Sequence, residues 1–206
     1  MQELLNERIN VYINQNDDGV VDFEYPCSFN DSSILNVIRI EIGALAAWTP
    51  TQKSIISSYI YDYYPQIFEK GSSTILTTTI ERTFWEKATI LHQEAQRPRE
   101  SKIPSRYSRH YYDFYCMAKK GVLESAIKDK NLLIDVAEFK RKFYPRGWAH
   151  YELARIGTIK LYPAESSIQK LKKDYENMKK MIYGKSPEFD DLLDYIKDVE
   201  EHINRN

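Results

Sequence analysis

The chain has 206 residues with 29 Lys and Arg against 30 Asp and Glu, a net charge of -1, and is 42% hydrophobic and 29% charged. That balance excludes a disordered chain and a global pull toward nucleic acid or anionic membrane, and no apolar run reaches the ~18 residues of a membrane span. The length suits one domain or two small lobes, and Cys27 and Cys116, without metal-type spacing and behind a start that is no signal peptide, read as reduced thiols of a cytoplasmic protein.

The N-terminal part reads as strands. "INVYINQ" (9–15), "VVDFEYP" (20–26), "LNVIRIEIG" (35–43) and "STILTTTI" (73–80) are short runs rich in β-branched and aromatic residues. "QNDDG" (15–19) joins the first two, and its Asp-Gly favours a hairpin turn. Residues 51–68, "TQKSIISSYIYDYYPQIF", read as a strand followed by a short helix. In the third run, alternation puts Ile38, Ile40 and Ile42 on one face, which needs cover, and Arg39 and Glu41 on the other.

From residue 81 the period becomes helical, over 81–96, about 106–119, about 130–143, 165–183 and 188–203. "QRPRESKIPS" (96–105) holds two prolines and is a loop. Gly184 stops the fourth helix, and Ser186 is expected to cap the fifth with Pro187 in its first turn. The stripes Ile168, Leu171, Tyr175, Met178, Ile182 and Phe189, Leu192, Leu193, Ile196, Val199 predict that these two helices pair as a hairpin. The expected class is α/β (α+β): a mixed sheet within residues 1–80, then a mostly helical lobe over 81–206.

Three places carry more ionisable chemistry than packing requires. Glu41, on the open face of a strand just before a glycine, suits a metal ion or a substrate, or is a solvated residue paired with Arg39. The helix "IERTFWEKATILHQEA" (80–95) has a core stripe of Phe84, Ala88, Leu91 and Ala95, flanked by Glu81, Arg82, Glu86, Lys87 and His92. Lys87 there is either a solvated lysine or a functional one. In "RYSRHYYDFYCMAKK", Arg109 and Asp113 stand four residues apart, where a structural ion pair forms readily. No Ser-His-Asp or Cys-His arrangement can be argued, since His92, His110, His150 and His202 are scattered.

"ERTFWEKATILHQEAQRP" followed by "SRHYYDFY" resembles the AbiEii/AbiGii toxin family of nucleotidyltransferases. The likeness continues through "RGWAHYELARIGTIKLYP" and "DYENMKKMIYGKSPEFDDLL", and "IRIEIGA" is similar to the family's carboxylate-bearing strand. The family resembles polymerase-β-like nucleotidyltransferases, whose first motif is a Gly-rich turn and an Asp-x-Asp pair. No Asp-x-Asp occurs in this chain, and "GSSTIL" at Gly71 has no aspartate pair after it. The resemblance therefore implies the C-terminal two-thirds of such an enzyme, with the nucleotide-binding front expected to be missing.

What the resemblance implies for the site is specific. Glu41 would be the third metal-ligating carboxylate, with Mg²⁺ the cofactor of complete members and none assigned to this chain alone. Lys87 would contact nucleotide phosphates, with Glu81 orienting it or capping its helix. Arg109 and Asp113 would form the closing motif, Arg106 would contact substrate, and Glu41, Lys87 and Asp113 would converge on one cleft. The implied activity is transfer of a nucleoside monophosphate from a nucleoside triphosphate to an acceptor, with RNA expected, in a bacterial toxin–antitoxin or abortive-infection system. The basic residues Arg97, Arg99, Lys102, Arg106, Arg109, Lys140, Arg141, Lys142 and Arg146 suit an RNA surface or are ordinary solvated charge. This chain is expected to be inactive alone; the alternative is a non-catalytic remnant or binding module. An antitoxin or a second copy of the chain is the expected protein partner, and no membrane is involved.

Overall fold

The structure, a computed structural model, describes residues 9–14, 17–26, 36–43 and 49–206. The chain divides into two compact units, residues 1–46 and 47–206. In the first, β1 (Asn10–Asn14), β2 (Asp17–Glu24) and β3 (Val37–Glu41) form an antiparallel sheet in that order. The register sets Val11 and Ile38 beside Phe23, and Ile13 and Ile40 beside Val21, so one face is apolar throughout. Among the described residues nothing covers this face, and Ile38 is 60% and Ile42 69% exposed. The other face carries Asp22, Arg39 and Glu41. Asp18-Gly19 lies inside β2, which starts at Asp17, and not in a turn; the connecting residues 15 and 16, like Cys27, are outside the described residues.

The second unit starts with β4 (Thr51–Ser57) and β5 (Ser72–Thr78), an antiparallel pair whose connection holds α1 (Tyr59–Tyr63). Tyr61 lies over Gly71 so closely that a Cβ there would meet its ring, which explains the glycine at that position. Helices follow: α2 (Ile80–Ala95), α3 (Ser108–Lys119), α4 (Val122–Ala126), α5 (Lys130–Phe143), α6 (Glu165–Met178) and α7 (Phe189–Arg205). The α+β class holds, strands first and helices after, with antiparallel pairing in both sheets among the described residues.

One core unites the helices. Phe84, Trp85, Ala88 and Leu91 of α2 meet Tyr111 and Phe114 of α3, Leu133 and Val136 of α5, Ile159 and Leu161, and the stripes of α6 and α7. Phe84 stacks on Phe114 at 4.7 Å, and the Trp85 indole donates to the Ala126 carbonyl. The expected hairpin of the last two helices is replaced by a different packing. Both pack on α3, and they meet each other where α7 begins, with Tyr175 5.2 Å from Phe189 and its hydroxyl donating to the Pro187 carbonyl. Ser186 does not cap α7, whose N-cap is Glu188 without a side-chain bond. Gly184 does take a left-handed φ of 84° beyond the helical stretch, a conformation favouring glycine. No helix of the described residues is long and apolar enough to cross a membrane.

Candidate active site

Helix α2 is buried on more than one side, so its polar residues cannot all rest in water. Thr79 starts the helix, its hydroxyl accepting from the Arg82 N–H. Glu81 lies in the first turn and does not pair with Lys87. Lys87 instead reaches across to α3. Its Nζ donates to Asp113 Oδ2 at 2.7 Å and sits 3.2 Å from His110 Nδ1. The side chains of Lys87 and Asp113 are 21% and 43% exposed, so the pair is at the lip of the core, not within it.

His110 is buried, and desolvation, then the adjacent Lys87 cation, pushes its pKa down to about 4. It is neutral at physiological pH and acts as acceptor toward Lys87 through Nδ1, which puts the ring proton on Nε2. Two acceptors thus aim the ammonium, which keeps further donor capacity at a partly open surface. The expected Arg109–Asp113 ion pair does not form, because Asp113 turns to Lys87. Arg109 stays exposed.

Beside this pair runs a groove of about 310 Å³ lined by Arg106, Arg109, Tyr112, Asp113, Met178, Met181, Ile182 and Tyr183. Arg109, Tyr112 and Asp113 share a face of α3 by their helical spacing. The start of α3 is fixed from another helix: the Asp174 carboxylate accepts from the Arg106 N–H (2.6 Å), the Ser108 N–H (2.9 Å) and the Ser108 hydroxyl (2.6 Å). That tether holds Arg106 at a left-handed φ of 61°.

Other basic residues are structural. Arg97 is clamped by Glu94 at 2.6 and 2.7 Å, with its guanidinium 5.0 Å from the Trp148 ring centre. Lys140 donates to the Glu86 carbonyl, and burial, helped by Lys87, lowers its pKa to about 8. Neither is available to an RNA surface, whereas Arg99, Lys102, Arg106, Arg109, Arg141, Lys142 and Arg146 are exposed. His92 is also structural, donating through Nε2 toward the His150 carbonyl and accepting the Lys160 N–H at Nδ1.

Glu41 belongs to the three-stranded sheet of the first unit. Arg39 gives its guanidinium to Asp22, at 2.7 and 2.9 Å, so Glu41 is an exposed carboxylate outside that pair. Mg²⁺ binds through carboxylates with substrate phosphates. On that sheet face Asp22 is buried and engaged by Arg39, and Glu24 accepts from the Asn10 side chain. Among the described residues no group of three or more His, Cys, Asp or Glu is placed to hold a metal. The described residues around Glu41 do not by themselves make a site for the Mg²⁺ of complete members.

Sequence reasoning did not single out Asp174, and it named His110, Arg82 and Lys140 without the partners that folding gives them. For His110 a signal existed, since it stands three residues before Asp113 on the same helix face. Asp174 lies 66 residues from Ser108 and only folding joins them. Arg82 is buried, pairing with Glu86 and donating to the Thr49 carbonyl.

A family model described as "Nucleotidyl transferase AbiEii toxin, Type IV TA system" matches residues 2–195. No curated protein and no solved structure matches the chain. The chain belongs to the AbiEii family, nucleotidyltransferase toxins of Type IV toxin–antitoxin systems, which implies a nucleotide substrate and an antitoxin counterpart.

Proposed function

We propose that this AbiEii-family chain grips the phosphates of a nucleoside triphosphate with Lys87, next to an acceptor that is RNA. The observation that carries the reading is the aimed Lys87: fixed by Asp113 and neutral His110, its ammonium still faces a partly open surface. A lysine is a compact point charge suited to phosphate oxygens, and one already oriented loses little freedom on binding. Asp113 positions the lysine. His110 contributes an acceptor without adding a positive charge. In nucleotidyl transfer the acceptor hydroxyl attacks the α-phosphorus, the bond to the β-phosphate oxygen breaks, and pyrophosphate leaves. Arg106 and Arg109 stand where they can take substrate phosphates, and Glu81 has no role in aiming Lys87.

Glu41 is the one carboxylate the family resemblance offers for Mg²⁺. With no Asp-x-Asp in the sequence and Asp22 engaged by Arg39, we propose that the 206-residue polypeptide by itself binds triphosphate but does not transfer the nucleotide. The same donor set favours the second reading, a binding module that keeps phosphate and acceptor contacts.

Titration calorimetry with each of the four ribonucleoside triphosphates tests the phosphate reading. Lys87→Ala is expected to weaken binding at least tenfold, the scale of one lost charge-assisted contact. Unchanged affinity overturns the assignment of Lys87. Labelled-nucleotide incorporation into RNA, abolished by Glu41→Ala, would overturn the proposed inactivity.

A further inference from the structure

The groove beside Lys87 has two chemically unlike walls. On one, Arg106 and Arg109 are exposed, and among the described residues neither side chain has a carboxylate partner. The acid nearest in the lining, Asp113, is engaged by Lys87. On the other wall, Met181 and Tyr183 are exposed beside Met178 and Ile182, and Tyr183 stands wholly in solvent. Exposed methionine and tyrosine on one short segment facing free arginines form an apolar surface that folding leaves uncovered.

A ligand that satisfies both walls has an anionic group on one side and a flat, weakly polar ring on the other, a few ångströms apart. An unpaired nucleotide of a single strand has that form. Its phosphate meets the arginines, and its base lies on the tyrosine ring and the polarisable methionine sulfur. A duplex keeps its bases stacked inside and offers no free ring. The groove volume of about 310 Å³ is at the small end of ligand sites and holds one such unit, not several.

The walls are also built. Asp174 fixes the arginine wall through three hydrogen bonds to Arg106 and Ser108. The other wall ends at Gly184, whose positive φ turns the chain directly after Tyr183.

We propose that this groove seats one unpaired nucleotide of the RNA acceptor, its phosphate on Arg106 and Arg109 and its base against Tyr183 and Met181. The inference rests on the reading of Lys87 as a phosphate ligand, because Asp113 belongs to both places and sets the acceptor strand beside the triphosphate.

The test is fluorescence anisotropy of the full chain with a labelled single-stranded RNA of about ten nucleotides, long enough to cover one such site. A blunt-ended duplex of the same RNA with its complement is the comparison. Tyr183→Ala and Arg109→Ala are each expected to weaken single-strand binding roughly tenfold, and Tyr183→Phe to keep it. The duplex is expected to bind more weakly than the single strand. Triphosphate affinity, read by calorimetry, should not change in Tyr183→Ala. Single-strand affinity that is indifferent to Tyr183→Ala overturns the proposal. So does loss of triphosphate affinity in that variant with RNA binding intact, which would make the groove the base site of the triphosphate. The Lys87→Ala calorimetry is read independently, so failure of the phosphate assignment and failure of the groove assignment give different patterns.

Discussion

Helix α2 and the β4–β5 hairpin are neighbours in sequence, joined at Thr79, and resolve their polar and apolar groups in opposite ways. Along α2 even Arg82, Thr89, His92, Gln93 and Glu94 are buried, each with a partner: Glu86 for Arg82, its own turn for Thr89, Arg97 for Glu94. Along the hairpin, Ile55 is 76% and Leu76 56% exposed. Its strands are held by their backbone ladder and a Ser54–Thr77 hydroxyl contact of 2.7 Å. Polarity therefore does not tell which segment is inside. A charged residue is buried when partners reach it, and an isoleucine stays outside when nothing packs on it.

The largest effect is expected at Glu94→Ala. It strands the buried Arg97 guanidinium, leaving the Lys102 carbonyl and aromatic faces as its neighbours. Breaking a buried pair in this way costs roughly 3–5 kcal/mol. Urea melts followed by circular dichroism will show it. A loss below about 1 kcal/mol would mean that α2 is no better anchored than the hairpin.

An intermediate effect is expected from pH. The folded-state pKa of His110 is depressed from 6.5 to about 4. Its contribution is therefore fully present above about pH 6.5 and is lost as the pH falls toward 4, because burial, and then the adjacent Lys87 cation, disfavours the protonated ring that the unfolded chain accepts freely. Denaturant melts at pH 7 and pH 5 should show wild type losing more stability than His110→Gln, which keeps an acceptor for Lys87 without titrating. Equal losses would show that His110 is not held neutral by the fold.

The smallest effect is expected at Ile55→Thr. At an exposed strand position the change keeps the β-branch, so stability should move by no more than about 0.5 kcal/mol in the same melts. A loss above about 1 kcal/mol would show that the hairpin face is covered in solution and would end the contrast with α2.

By itself the sequence determined what local rules control. Periodicity placed the helices at 80–95, 130–143 and 189–205 to within a few residues, and the strand-then-helix reading of 51–68 matches β4 and α1. The family was also legible, because the motif residues on α2 and α3 keep their spacing. Short elements escaped: α4 has five residues and too few periods to show a stripe. Local capping rules also misled, since Asp18-Gly19 entered a strand and Ser186 left α7 uncapped.

Only the tertiary structure decided who pairs with whom. Arg109 and Asp113 have ideal spacing for an exposed pair worth a few tenths of a kcal/mol. Packing of α2 on α3 instead offered Asp113 a half-buried lysine, and a better-desolvated partner wins. The same applies to Asp174 at the start of α3. Such choices depend on which side chains share a low-dielectric surface after folding, a property of distances between residues 26 to 68 positions apart that no local pattern encodes.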